Sequence, residues 1–251
     1  MENRTDSLLE GLGGVTFAAG ATEDVLAGGR QLRQAFREAP RRSADRGTML
    51  VGAETRDPPV FMLDRGFAYR AFSLPDGRRA IVDILLPGDV AGLDHAILGR
   101  ATHDVIAANM LGYRTLSPLA LRDLMAATPS IALHALALMA ETRARCDSHT
   151  IAITRLDARE RIATFVLGVY QRLRRRELIA RPTFNLPLTQ EQVADHLGLT
   201  MVHVSRTLRR LREERLLHVD RQVVIILDLD GLRAVAAGLS VAPHRLALEI
   251  G

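Results

Sequence analysis

The sequence predicts an α+β protein: an antiparallel β-roll in its first half, a long helix in the middle, and a winged helix-turn-helix in its last third. Three observations carry this. Short apolar runs separated by turn residues recur between Val25 and Pro118, which is how the strands of a barrel-like roll read. No Gly or Pro interrupts the chain from Ile131 to Ile153, so a long helix fits there. From Leu188 to Leu217, two capped segments flank a glycine at the spacing of a helix-turn-helix.

Residues 1–24 are Gly-, Ala- and acid-rich and read as a tail or a weakly held helix. The roll, residues 25–118, shows its strands as Val60–Leu63, Ala68–Phe72, Ala80–Leu86 and Asp104–Ala108. Asp64-Arg65-Gly66, Pro75-Asp76-Gly77 and Pro87-Gly88-Asp89 supply the turns between them. Pro118 suits the first position of a short helix to Ala127, and Pro129 opens the long one, giving a helical region over 119–155. One stripe of the long helix reads Ala132, Leu136, Met139, Arg143, Cys146, Thr150, Ile153, alternating steps of four and three. That is the spacing of a coiled-coil seam and points to a homodimer; a core helix packed on the roll is the alternative. Cys146 would then either face its twin or fill space as a small apolar group.

The last folded region spans 156–240, with a tail over 241–251. Asp157 caps a helix whose apolar face is Ile162, Phe165, Val166, Val169 and Leu173. Thr189 with Gln192 forms a capping box, Ala194 allows close helix approach, Gly198 suits a left-handed turn, and Thr200 caps the next helix. Val204 plugs that helix into the core shared by Val193, Leu197, Leu199, Leu208 and Leu211. Met201, Val202, His203, Ser205, Arg206, Arg209 and Arg210 are left off the core line, as reading a DNA major groove requires. Two short strands around Asp220-Arg221-Gln222 follow as a wing.

The composition narrows the function classes. The 251 residues carry 33 basic and 29 acidic side chains, and every basic one is Arg. A net charge of +4 says little alone, but guanidinium forks match phosphate and guanine wherever they cluster. One cysteine supports neither an internal disulfide framework nor, alone, a zinc or iron–sulfur site. No apolar run approaches the roughly 18 residues of a membrane span, and the N-terminus does not read as a secretory signal, so a soluble cytoplasmic protein is expected. Asp83, Asp89, Asp94 and Asp104 come with no nucleophile, phosphate loop or metal spacing, so no enzyme is expected. The Gly11–Gly14 cluster is too short for a phosphate loop.

On these residues the chain resembles the Crp/Fnr family of bacterial transcription regulators, closer to its Fnr/FixK-like branch than to cAMP-binding Crp. In the roll the resemblance rests on Leu86-Pro87-Gly88-Asp89 followed by Gly92, and in the middle on Ala158-Arg159-Glu160-Arg161-Ile162-Ala163. In the last third it rests on Leu188-Thr189-Gln190, His203 to Leu208, and Asp228-Leu229-Asp230-Gly231-Leu232. The resemblance implies a cyclic-nucleotide-binding-like roll, a dimerisation helix presenting Leu136, Met139, Arg143, Cys146, Thr150 and Ile153, double-stranded palindromic DNA, and RNA polymerase as a partner. Thr189, Thr200 and Arg209 are expected at phosphates and Val202, Ser205 and Arg206 at base edges, with His203 also in the DNA-binding set. Val202 stands where the family commonly has a half-site-reading Glu, and Arg215 where it usually has a Gly before the wing.

The family's effector signatures are incomplete. After Gly92 come Leu93-Asp94-His95 instead of Gly-Glu, and the later phosphate position reads Thr102-His103-Asp104, whose carboxylate would repel a phosphate. The N-terminal cysteines of an oxygen-sensing cluster are missing, and His95, His103, His134 and His149 each read as a lone histidine. No cofactor and no metal is therefore expected. An interaction or scaffold protein, whose winged helix docks another protein, is the alternative function.

Overall fold

The computed structural model describes residues 21–236, which fall into two compact units. Of these, the first holds residues 21–73 and 83–144, and the second holds 74–82 and 145–236.

The first unit opens with a helix, α1 (Ala21–Glu38), where the sequence was expected to turn to strands from Val25. Val25, Leu26, Leu32 and Phe36 recur at helical spacing and are all buried, and this single apolar stripe outweighs the helix-weakening Gly28-Gly29 pair. The strands are β1 (Arg41–Ala44), β2 (Met49–Val51), β3 (Val60–Arg65), β4 (Ala68–Ser73), β5 (Arg79–Leu85), β6 (Val90–Ala91), β7 (Asp104–Ala107) and β8 (Leu111–Leu116). They form two four-stranded sheets ordered β1-β8-β3-β6 and β2-β7-β4-β5. A short helix, α2 (Leu93–Leu98), interrupts the roll after β6, and α3 (Pro118–Ala127) follows β8.

The unbroken apolar run of β3 has a simple cause. Phe61 and Leu63 point into the core between the sheets with Val51, Leu85, Val105 and Leu111. Val60 and Met62 point the other way, under Leu32 and Phe36 of α1 and Leu121 of α3. A strand buried on both faces loses the polar alternation of a half-exposed one.

Two buried carboxylates in this unit, Asp104 and Asp89, bond to the backbone. Asp104 accepts hydrogen bonds from Ala53 N–H at 2.8 Å and from the Ser73 hydroxyl at 3.0 Å. Asp89 accepts from Leu86 N–H at 2.7 Å, closing the Leu86–Asp89 turn. His95 and His103 do not stand alone as read from the sequence; their rings lie 4.5 Å apart, centroid to centroid.

The long helix, α4 (Pro129–Arg155), begins in the first unit, where Ile131 and Ala135 pack with Leu32 and Phe36. In its first half the helix has two unlike faces. One face is core, while Leu133, Leu136 and Met139 on the other stand exposed.

In the second unit, α5 (Ala158–Arg175) starts from Asp157 in a reciprocal capping box with Glu160. It is followed by β9 (Thr183–Asn185), α6 (Gln190–Leu197), α7 (Met201–Glu213), β10 (Leu217–Asp220), β11 (Val223–Ile226) and α8 (Leu229–Ala236). The strands form an antiparallel sheet ordered β10-β11-β9, so the wing has a third strand, in the segment between Pro182 and Pro187. Ile162, Leu197, Val204, Leu211, Leu217, Val224 and Leu232 are among its fully buried apolar side chains. The arm 74–82 belongs to this unit: Arg79 places Nε 3.0 Å and Nη2 2.6 Å from one Asp195 carboxylate oxygen, and His196 Nδ1 lies 2.9 Å from the Ile81 carbonyl.

Candidate nucleic-acid interface

Helix α6 is set by its two ends. Thr189 Oγ1 accepts from Gln192 N–H at 3.1 Å while Gln192 Oε1 accepts from Thr189 N–H at 2.9 Å. At the other end Gly198 adopts φ 62° and ψ 40°, a left-handed conformation that costs little without a Cβ. The Arg161 guanidinium of α5 donates to the Leu197 carbonyl at 3.1 Å, placing a cation where the helix dipole is negative. Arg161 thereby ties the turn to the body of the unit.

Two residues later Thr200 starts α7, its hydroxyl accepting from His203 N–H at 3.2 Å. Val204 and Leu211 are wholly buried and Thr207 nearly so, which fixes the rotation of the helix. The opposite face presents Met201 and Val202, 56% and 60% exposed, with exposed His203, Ser205, Arg206, Arg209 and Arg210. Val202, Ser205, Arg206 and Arg209 share one shallow concavity with Met201 and Gln190. His203 is exposed but does not line it, and Thr189 and Thr200 sit at the helix starts. Both hydroxyls accept a capping N–H and keep their own proton to donate outward.

The cations of α7 divide into two kinds. Arg210 and Arg159 both bind the Glu214 carboxylate, Arg210 Nε at 2.9 Å and Arg159 Nε at 2.8 Å. Hydrogen bonds from Arg159 above all, then from Arg210, hold that carboxyl below its usual range. Among the described residues Arg206 and Arg209 form no such pair, so their forks remain available to an anionic partner.

Behind α7, Arg215 takes φ 57° and its N–H bonds the Arg212 carbonyl at 3.0 Å. The departure from glycine leaves the path into the wing intact, since β10 begins two residues on, but it carries left-handed strain. Arg215→Gly should stabilise the protein by about 1 kcal/mol, read as a rise in Tm. A lowered Tm would mean that the arginine side chain contributes more than its backbone costs. At the wing tip Arg221 and Gln222 have φ 43° and 72°, the two positive values of a type I′ hairpin turn, and leave Arg221 exposed. Nothing in the sequence other than the strand spacing marks Arg221 for that place.

On α4, Leu136, Arg143 and Thr150 are exposed, as is Met139, whereas Cys146 and Ile153 are half-buried. The exposed line continues as Leu133, Leu136, Ala140, Arg143, Asp147, Thr150 and Thr154, which keeps the alternation of three and four. It passes beside Cys146 instead of through it. Among the described residues no helix is long and apolar enough to cross a membrane.

The Crp-like helix-turn-helix domain family matches residues 160–235. The chain is similar to the transcriptional activator protein FnrL of Cereibacter sphaeroides, 30% identical over 193 residues that make up 74% of this chain and 76% of that protein. It is also similar to the nitrogen fixation regulation protein FixK of Bradyrhizobium diazoefficiens, 31% identical over 65% of this chain and 68% of that one. Among solved structures, FixK2 from Bradyrhizobium japonicum superposes with a TM-score of 0.72 at 25% identity, covering 78% of this chain and 96% of that chain. The chain therefore belongs to the Crp/Fnr family of DNA-binding transcription regulators, in its Fnr/FixK branch.

Proposed function

We propose that the protein works in the cytoplasm as a homodimer that reads a palindromic operator with α7 and meets RNA polymerase there. In this reading residues 25–118 form a sensor-like roll, 119–155 the dimerisation region and 156–240 the reading head. The observation that carries it is the concavity of Val202, Ser205, Arg206 and Arg209, with two unpaired guanidinium groups on a helix whose back is locked into the core. A helix presenting short side chains and Arg at its N-terminal turns fits the major groove, where an Arg fork pairs with guanine O6 and N7. Thr189, Thr200 and Arg209 then hold phosphates, and His203 lies at the margin of the base contacts. Val202 cannot accept a hydrogen bond from cytosine, but it packs on a thymine methyl. The exposed seam of α4 supplies the second copy's contact, through Leu136 and Met139 most directly. The role contains no catalytic step.

Selection of sites from a randomised duplex pool by the purified protein tests this. The expected result is a palindrome with half-sites about one helical turn, or 10–10.5 bp, apart. Arg206→Ala should relax selection at one guanine per half-site and weaken the selected site by about 1–3 kcal/mol, roughly 5- to 150-fold. An equal loss on random DNA would assign Arg206 to a phosphate. If the winged helix instead docks a protein, no site is enriched and binding to DNA stays weak even at low salt, where several phosphate contacts would strengthen it steeply.

A further inference from the structure

The roll keeps an unexplained polar cluster in its interior. His95, in α2, is fully buried, and His103, just before β7, is 4% exposed. His95 Nε2 lies 3.4 Å from His103 Nδ1 and 3.8 Å from the Asp94 carboxylate, whose side chain is 35% exposed. The Thr102 hydroxyl stands 3.0 Å from the same His103 Nδ1. The far nitrogens, His95 Nδ1 and His103 Nε2, are buried and meet no hydrogen-bond partner. The nearest charges besides Asp94 are Arg70 and Asp83, which pair with each other at 3.1 Å.

As packing, this arrangement is poor. The two facing nitrogens, His95 Nε2 and His103 Nδ1, are buried toward each other, and apolar side chains would fill the space without the cost of burying polar groups, on the order of 1–3 kcal/mol each. As a hydrogen bond, 3.4 Å between two ring nitrogens is beyond the usual range of about 2.7–3.2 Å. As a ligand set it is sensible. Metal–nitrogen bonds of about 2.0–2.1 Å in a tetrahedral site place two ligand nitrogens about 3.3–3.4 Å apart. Asp94 lies slightly outside that spacing, on the solvent side, where its rotation would close the site and where an ion would enter.

We propose that Asp94, His95 and His103 hold a divalent transition-metal ion inside the roll, coordinated by His95 Nε2, His103 Nδ1 and an Asp94 oxygen. Two imidazoles and one carboxylate suit zinc, cobalt or nickel and leave a fourth position for water or the Thr102 hydroxyl. The ion would occupy the two segments, 93–95 and 102–104, where the family builds its nucleotide pocket. Those segments were read from the sequence as empty of effector chemistry, and the cluster supplies a different one.

Metal-stripped full-length protein titrated with zinc by calorimetry, in the absence of DNA, tests the site independently of operator binding. One ion per chain is expected, and cobalt should give the visible d–d absorption of a low-coordinate site. His103→Asn and Asp94→Asn should each weaken zinc binding by at least about tenfold, while His218→Asn on the wing leaves it unchanged. Asp94 is partly exposed and its amide is isosteric, so that variant folds even where His103→Asn does not. No zinc uptake by the parent protein, or equal uptake by Asp94→Asn and the parent, would overturn the proposal.

Discussion

Gly28→Ala should cost the protein about 2–3 kcal/mol, although alanine is the better helix former. Position 28 lies in mid-helix on α1, where the exchange would ordinarily gain about 1 kcal/mol. Here a Cβ would fall 1.8 Å from the Ser130 carbonyl oxygen and 2.3 Å from its carbon. The obstacle is backbone at the start of α4 and cannot rotate away, so α1 must lift. Lifting it pulls Leu32 and Phe36 from the cluster with Val60, Leu121 and Ile131, and overpacking of this kind costs typically 1–3 kcal/mol or more. Next along the helix, a Cβ at Gly29 would fall 2.6 Å from the His134 ring, so the pair of glycines is what lets the two helices touch. Gly168→Ala is the matched control, since in α5 nothing lies within 4 Å of the added methyl, and a gain of up to about 1 kcal/mol is expected. Urea unfolding of the two variants measures both signs; two gains would show that α1 and α4 adjust at no cost.

Acidification should destabilise the protein well before its carboxylates titrate. His134 is buried against α1, and burial first, then the Arg33 cation, depresses its pKa from 6.5 to about 4, opposed by a hydrogen bond to the Val25 backbone. The unfolded chain therefore binds a proton between pH 6.5 and 4 that the folded chain refuses. The stability from the neutral ring is fully present above pH 6.5, falls as the pH drops, and is gone below about 4. A displacement of this size corresponds to roughly 3 kcal/mol in all, and to about 2 kcal/mol at pH 5. His95 and His103 are shifted the same way, by burial first, so the whole protein loses more than His134 alone accounts for. Comparing the parent with His134→Gln, in chelator, at pH 7 and pH 5 isolates the share. The parent's advantage should shrink by about 2 kcal/mol at pH 5, and an unchanged difference would place the acid sensitivity elsewhere.

The features legible in the sequence are those written in local chemistry. The caps at Asp157, Thr189 and Thr200, the left-handed Gly198 and the buried Val204 each depend on neighbours within a turn of helix. The strands β3, β4 and β5 were marked by turn residues at their ends, and β7 by its short apolar run. Helix α1 was hidden because glycine and alanine mask its apolar stripe, and the stripe has meaning only once β3 offers a second face to cover. Strands β1 and β8 pair across the length of the roll, so nothing near Arg41 announces its partner. Arg161 was visible as part of a motif, but its bond to Leu197 crosses from one helix to another. His95 and His103 were read singly because α2 and the loop after it must fold before they meet. On α4 the spacing of three and four was readable in the sequence, while the burial of its neighbours was not: Cys146 is half-buried and Asp147 exposed, which packing decides.

The pairing of β1 with β8 also imposes an order on synthesis. Arg41 to Ala44 find their partners only at Leu111 to Arg114, and β3 pairs along the other side of that same strand. Until β8 leaves the ribosome, the nascent chain carries two unpaired strand edges, on β1 and on the side of β3 away from β6. Contacts this distant in sequence slow folding and prolong exposure to aggregation. The winged unit, whose β10 and β11 are joined by a two-residue turn, needs no such wait. A ribosome stalled just short of Leu116 would thus hold the roll at its most vulnerable point, and chaperone demand during translation would concentrate there.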